Sequence, residues 1–155
     1  MRLSLQPSLT QADYGFTHQL RVRFAETDAM GIVHHSRYFP MLEEARVAYL
    51  RHIGHPYHEL RADGDMAVLE VSLRYRQALR FDELVDIHVA LHAVTRTTFQ
   101  MRYALTVNDE ADMPQVRATG VTAHGCLTTD GRPARLPGWL VEMGQPPFSE
   151  RYPSG

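Results

Sequence analysis

The chain has 155 residues, a formal net charge of −2, 44% apolar residues and 22% charged ones. That length suits one domain able to bury a core without staples, and the charge balance argues against a nucleic-acid partner. No apolar run approaches the ~20 residues of a spanning helix, and the N-terminal residues show no apolar leader core.

Cys126 is the single cysteine, so neither an internal disulfide nor a cysteine-rich zinc site can form. These features predict a cytoplasmic protein with no membrane span. All sixteen basic residues are arginine, which excludes Schiff-base lysine chemistry and a Walker-type phosphate loop. The chain also lacks G-x-S-x-G and G-x-G-x-x-G, so a serine-hydrolase elbow and a dinucleotide fingerprint are absent.

Residues 1–14 read as a loose lead-in, 15–140 as one domain and 141–155 as a tail. The last 24 residues, 132–155, hold five prolines, with one helical turn expected around Trp139–Met143. Phe16, His18, Leu20, Val22 and Phe24 alternate with polar residues and predict a half-buried strand. Residues 25–35 lose that alternation and read as a loop around Gly31. Over 36–52 the period changes. Tyr38, Met41, Leu42, Ala45, Ala48 and Tyr49 recur at three- and four-residue steps, which predicts an amphipathic helix with Ser36 as its N-cap. Pro40 fits that helix only if it starts late or has a loose first turn. Gly54 and Pro56 end it.

Four more strands follow, around 69–75, 85–93, 99–107 and 115–127. Their short links favour antiparallel neighbours. One helix cannot cover both faces of a five-stranded sheet. The expected architecture is therefore α+β, a curved antiparallel sheet wrapped around one long helix. The outer sheet face carries arginines and histidines beside apolar stripes and is expected to be partly buried in an oligomer.

Chemistry concentrates in Glu26-Thr27-Asp28-Ala29-Met30-Gly31-Ile32-Val33-His34-His35, followed by Ser36-Arg37-Tyr38 and Glu43-Glu44-Ala45-Arg46. A carboxylate and two histidines here run straight into a helix N-terminus. The first amides of a helix lack internal partners and sit at the positive end of its dipole. Such an end can polarise a carbonyl oxygen, and a carboxylate beside it can attack the carbonyl or activate a water. Taken alone, Asp28 is more readily an ordinary Asx-turn or capping residue before a glycine than a catalytic one. His52, His55 and His58 resemble metal ligands, but Gly54 and Pro56 break the helix that would align them, so a surface turn and no metal site is expected. His88 and His92 share a strand face that reads as solvated or as an interface.

The segment T-D-x-x-G-x-V-x-H-x-x-Y, followed by E-x-A-R, resembles the hotdog-fold acyl-CoA thioesterases of the 4-hydroxybenzoyl-CoA thioesterase/YbgC-like type. The resemblance spans about residues 17–138 and continues in Ala67–Phe81, Arg96-Thr97-Thr98-Phe99, Ala118-Thr119-Gly120 and Gly131–Pro137. It implies a hotdog fold, five antiparallel strands around one helix, with subunits joined as a dimer or tetramer and active sites at the dimer interface. Asp28 matches the catalytic aspartate, as nucleophile or general base. His35 matches the residue whose amide polarises the thioester carbonyl. Glu43 matches a position that is catalytic in some hotdog branches and a structural partner in others.

The same resemblance places Gly31, Val33, His34, Ser36 and Tyr38 against the substrate, and Arg96, Thr97 and Thr98 at the nucleotide end. Arg132 and Arg135 are weaker candidates for phosphate. Tyr38, Leu42 and the strand near Leu69 would line the acyl pocket. Arg37 and Pro40 depart from the pattern. The implied reaction is hydrolysis of an acyl-CoA or acyl-carrier-protein thioester, with coenzyme A only as part of the substrate and no other cofactor. An enoyl-thioester hydratase or dehydratase, and a non-catalytic acyl-thioester binder, are the alternatives on the same fold.

Overall fold

The computed structural model describes residues 6–60 and 64–144. Strands β1 (Phe16–Arg21), β2 (Asp65–Tyr75), β3 (Leu84–His92), β4 (Thr98–Asn108) and β5 (Pro114–Leu127) form one sheet in the order β1-β3-β4-β5-β2. Every pairing is antiparallel. A two-residue strand, β6 (Pro133–Ala134), adds to the end of β5. Helix α1 (Tyr38–His52) lies on the inner face, followed by the short α2 (Tyr57–Leu60), and α3 (Gly138–Met143) comes near the end. This is the α+β arrangement expected from the sequence.

Alternation dictates the core. Val85, Ile87 and Val89 of β3 and Phe99, Met101, Tyr103, Leu105 and Val107 of β4 meet Tyr38, Met41, Leu42, Ala45 and Tyr49 of α1. Leu136 and Leu140 close one end. Gly120 marks the tightest approach, because a Cβ there would stand 2.9 Å from Leu73 and 3.3 Å from Leu42. In β2 the register shifts between Val68 and Glu70. Such a bulge turns side chains to the other face, and Leu69 accordingly lies over Gly125 rather than in the core. It is 54% exposed in the single chain.

Two further expectations change. The helix does not begin at Ser36. A 3₁₀ turn, His35–Arg37, leads into α1, and Arg37 takes the N-cap position with no side-chain cap. Pro40 is therefore the third helical residue, where no intrahelical donor is needed. The outer face is partly covered within the chain itself. Tyr14 is buried beneath the Arg102 guanidinium, 5.2 Å from its ring centroid, and Arg102 donates to Asp13 O at 2.7 Å. His88, expected on a solvated or interface face, is buried between Thr17 Oγ1 (2.8 Å) and Thr106 Oγ1 (2.9 Å).

Candidate active site

The loop after β1 is a tight hairpin. Thr27 bridges Val33, and Asp28 N–H donates to Ile32 O at 2.9 Å. The turn closes through Gly31 N–H on Asp28 O at 2.9 Å, with Gly31 at φ +74°. That backbone conformation is the reason for a glycine here. Glu26 holds the hairpin base. Its carboxylate accepts from Arg23 N–H (2.8 Å) and from the Arg23 guanidinium (3.1 and 3.2 Å), and its carbonyl accepts from His34 N–H at 2.9 Å.

Asp28 satisfies both readings of its sequence at once. Oδ1 accepts from Met30 N–H at 2.8 Å, an Asx turn. Among the described residues Oδ2 has no partner, and the half-exposed carboxylate borders a cleft of about 260 Å³. Val33, His35 and Tyr38 share that cleft with Tyr75, Arg76 and Ala78. The amide of His35 also has no acceptor among the described residues, whereas the Arg37 amide is bonded to His34 O at 2.9 Å and the Ser36 amide to His34 Nδ1 at 3.3 Å. The unspent amide and the unspent carboxylate oxygen thus belong to two residues that line one cleft, just before a fifteen-residue helix.

Residues far along the chain build the opposite wall. Tyr75 O–H donates to His35 O at 2.9 Å, and its ring meets Tyr38 edge-on at 4.9 Å. Burial raises the Tyr38 hydroxyl above the usual tyrosine pKa, against the Leu79 backbone hydrogen bond that lowers it, and burial raises Tyr75 likewise. Both therefore stay neutral at pH 7. Arg117 carries the 76–78 turn, accepting the amides of Arg76 (2.8 Å) and Gln77 (3.0 Å) at its carbonyl and donating its guanidinium to Ala78 O and Glu83.

Other candidates stand elsewhere. Gly31 is exposed at the hairpin tip, and the side chains of His34 and Ser36 bond each other at 2.8 Å. Glu43 does not border the Asp28 cleft. It lines a second cavity of about 230 Å³ with Arg46, Leu50, Met66, Phe99 and His124. Arg96, Thr97 and Thr98 occupy the β3–β4 turn. Thr98 pairs with Gly125 of β5, whereas Tyr75 at the cleft pairs with Ala118. Seven residues of strand, roughly 23 Å, separate those levels, so one chain does not bring that turn to Asp28.

His52, His55 and His58 do not converge. His52 packs on Phe16 at 4.9 Å, His55 stacks on Trp139 at 3.7 Å, and His58 is exposed. Tyr75, Arg76 and Ala78 were not singled out as site residues, since forty residues separate them from the motif and only strand pairing returns them. The second cavity was not foreseen either, although His124 at an inward register position of an otherwise small-residue strand was its one visible signal.

A helix held in a five-stranded antiparallel sheet, with a reactive cleft where loop becomes helix, is a hotdog domain. Residues 22–143 match the Thioesterase-like superfamily, and the chain belongs to it. A crystal structure of a hypothetical protein from Aquifex aeolicus is 34% identical, with a TM-score of 0.76 over 84% of this chain and 99% of that one. The acyl-CoA thioesterase YbgC of Haemophilus influenzae is 31% identical over 98 residues, 62% of this chain and 72% of its own. The 4-hydroxybenzoyl-CoA thioesterase of Pseudomonas sp. strain CBS-3 shares 19% identity and a TM-score of 0.74 over 83% of this chain and 97% of its own, a likeness of fold.

Proposed function

We propose that this protein hydrolyses acyl-CoA or acyl-carrier-protein thioesters to a carboxylic acid and a free thiol, with Asp28 as the reacting carboxylate. The observation that carries this reading is the pairing of the unpartnered Asp28 oxygen and the unpartnered His35 amide in one cleft. Membership of the superfamily, and a relative named acyl-CoA thioesterase, support it. The thioester oxygen would accept from His35 N–H at the positive end of α1, which stabilises the oxyanion that forms. Asp28 then has two routes. As general base it takes a proton from water while the water oxygen adds to the carbonyl carbon; the C–S bond breaks, and the departing thiolate regains a proton. As nucleophile it forms a mixed anhydride that water then opens. Neither route needs a metal or another cofactor.

The active form we propose is a dimer joined along β2, or a tetramer made of two such dimers. Among the described residues β2 pairs only with β5, and its other edge carries Val68, Leu69 and Tyr75, each about half exposed. A strand of eleven residues at the edge of a sheet is a template for a second strand. A two-fold pairing there runs β2 antiparallel to its copy, so the β3–β4 turn with Arg96, Thr97 and Thr98 approaches the other subunit's Asp28 cleft. Arginine is the only fixed cation available for coenzyme A phosphates. We place the protein in the cytoplasm, where these substrates occur.

The test is thiol release, followed with a thiol-reactive dye, over acyl-CoAs from acetyl to palmitoyl plus benzoyl. Release from at least one thioester is the expected result. On crotonyl-CoA, added to the panel, loss of enoyl absorbance without thiol release would make the protein a hydratase; binding of every thioester without turnover would make it a binder.

A further inference from the structure

The second cavity is lined by a weakly held arginine and a buried histidine. It lies against the middle of α1, and from Tyr38 to Arg46 the helix rises about 12 Å, so within one chain it is separate from the Asp28 cleft. Val47, Leu50, Met66, Phe99 and Met101 make its walls apolar. Arg46 enters with its side chain only 15% exposed, yet its contacts are poor. Nη1 reaches Tyr103 Oη at 3.5 Å, and Nη2 lies 3.8 Å from Glu43, whose own side chain is 72% exposed. A largely buried cation held by one long hydrogen bond and one solvated carboxylate lacks a full counter-charge.

A polar chain stands behind it. A guanidinium can only donate, so Tyr103 Oη accepts from Arg46. Tyr103 Oη lies 3.0 Å from Thr122 Oγ1, and Thr122 Oγ1 lies 2.7 Å from His124 Nε2. His124 is 1% exposed, and its ring stacks on Phe99 at 4.8 Å. Burial, reinforced by Arg46, lowers its pKa to about 3, so the imidazole is neutral. In the tautomer whose Nε2 accepts from Thr122, the imidazole carries its proton on Nδ1; a carboxylate in the cavity would need that tautomer. Among the described residues nothing hydrogen-bonds to Nδ1, and His124 lines the cavity.

We infer that this cavity binds a carboxylate carried on an apolar body, the carboxylate oxygens accepting from the Arg46 guanidinium and from His124 Nδ1–H. Glu43 is the carboxylate that competes for Arg46 when the cavity is empty. Two sources supply this chemistry. One is a free carboxylic acid. The other is the far carboxylate of an acyl chain that is a half-thioester of a dicarboxylic acid, a source that rests on the thioesterase reading.

The experiment is calorimetric titration of the full chain with hexanoate and with hexanamide, its neutral match in shape, while the His124 ring resonances are followed by NMR. Hexanoate is expected to bind at least tenfold more tightly than hexanamide and to shift the His124 signals. Arg46→Met should remove that preference. Glu43→Gln, an exposed change that leaves the core intact, should tighten hexanoate several-fold and leave hexanamide unchanged. Equal affinities for acid and amide, or hexanoate binding indifferent to Glu43→Gln, would overturn the proposal. Hydrolysis of glutaryl-CoA and valeryl-CoA separates the sources. A kcat/KM preference for glutaryl that Arg46→Met abolishes identifies the acyl chain's own carboxylate; hexanoate binding without that preference identifies a free acid. The titration does not depend on turnover, so an inactive protein would sink the thioesterase reading and leave this one to stand or fall separately.

Discussion

The start and the middle of α1 are built on different plans. At its start, a hairpin of seven residues, Thr27–Val33, sets Asp28 and the His35 amide by main-chain hydrogen bonds between near neighbours in sequence. Against its middle, the second cavity draws Arg46, Phe99, Tyr103, Thr122 and His124 from the helix and two strands, and orders them through a chain of side-chain hydrogen bonds. The first plan fixes where charge can develop and leaves one carboxylate oxygen and one amide unspent. The second sets polar side chains in a row behind a largely apolar cavity. On the proposed function, reactivity sits on short-range backbone geometry, and selectivity on long-range packing.

Each plan fails in its own way. The largest expected loss in stability is common to both. Leu42→Ala removes a fully buried side chain from the core beneath Gly120 and should cost about 2–5 kcal/mol in denaturant unfolding. The next tests the second plan. His124 has a folded pKa lowered from 6.5 to about 3 by burial. The unfolded chain therefore binds its proton first, and stability present above pH 6.5 drains as pH falls from 6.5 towards 3, at up to about 1.4 kcal/mol per pH unit. His124→Gln should flatten the acid limb of a stability-against-pH curve by that one proton. His88 and His92, also lowered by burial, add to the same limb.

The first plan is tested more gently. Gly31→Val forces a β-branched residue to φ +74° and should cost about 1–2 kcal/mol, with a fall in turnover larger than the stability change explains, because Asp28 shifts with the turn. Smallest of all, Tyr75→Phe deletes the hydrogen bond to His35 O and should cost about 1 kcal/mol, read as a few-fold drop in kcat with the fold unchanged by circular dichroism.

The same contrast decides what could be read from the sequence. Period-two and period-3.6 patterns located α1 and the five long strands, because burial on one face imposes those periods. The Asp28 cleft was legible in its first half, where thirteen contiguous residues, 26–38, carry the motif. Its second half, Tyr75 to Ala78, was not, since only the pairing of β2 with β5 brings it there. The bulge at Val68 and Glu70 reversed Leu69 without any local cue. The two-residue β6 is too short to show a period. Tyr14 looked like part of a loose lead-in because its burial depends on Arg102, 88 positions away. The strand order and the polar chain to His124 are likewise products of long-range contact.

The central claim is that Asp28 performs the chemistry while the rest of the cleft only presents the thioester to it. Its most direct test is the turnover of Asp28→Asn beside the wild type, with acyl-CoA affinity measured on both. Asparagine keeps the side-chain acceptor for Met30 N–H and so keeps the turn. The account predicts a fall in kcat of about 10²–10⁴-fold with affinity retained within a few-fold. Wild-type turnover in Asp28→Asn would contradict it.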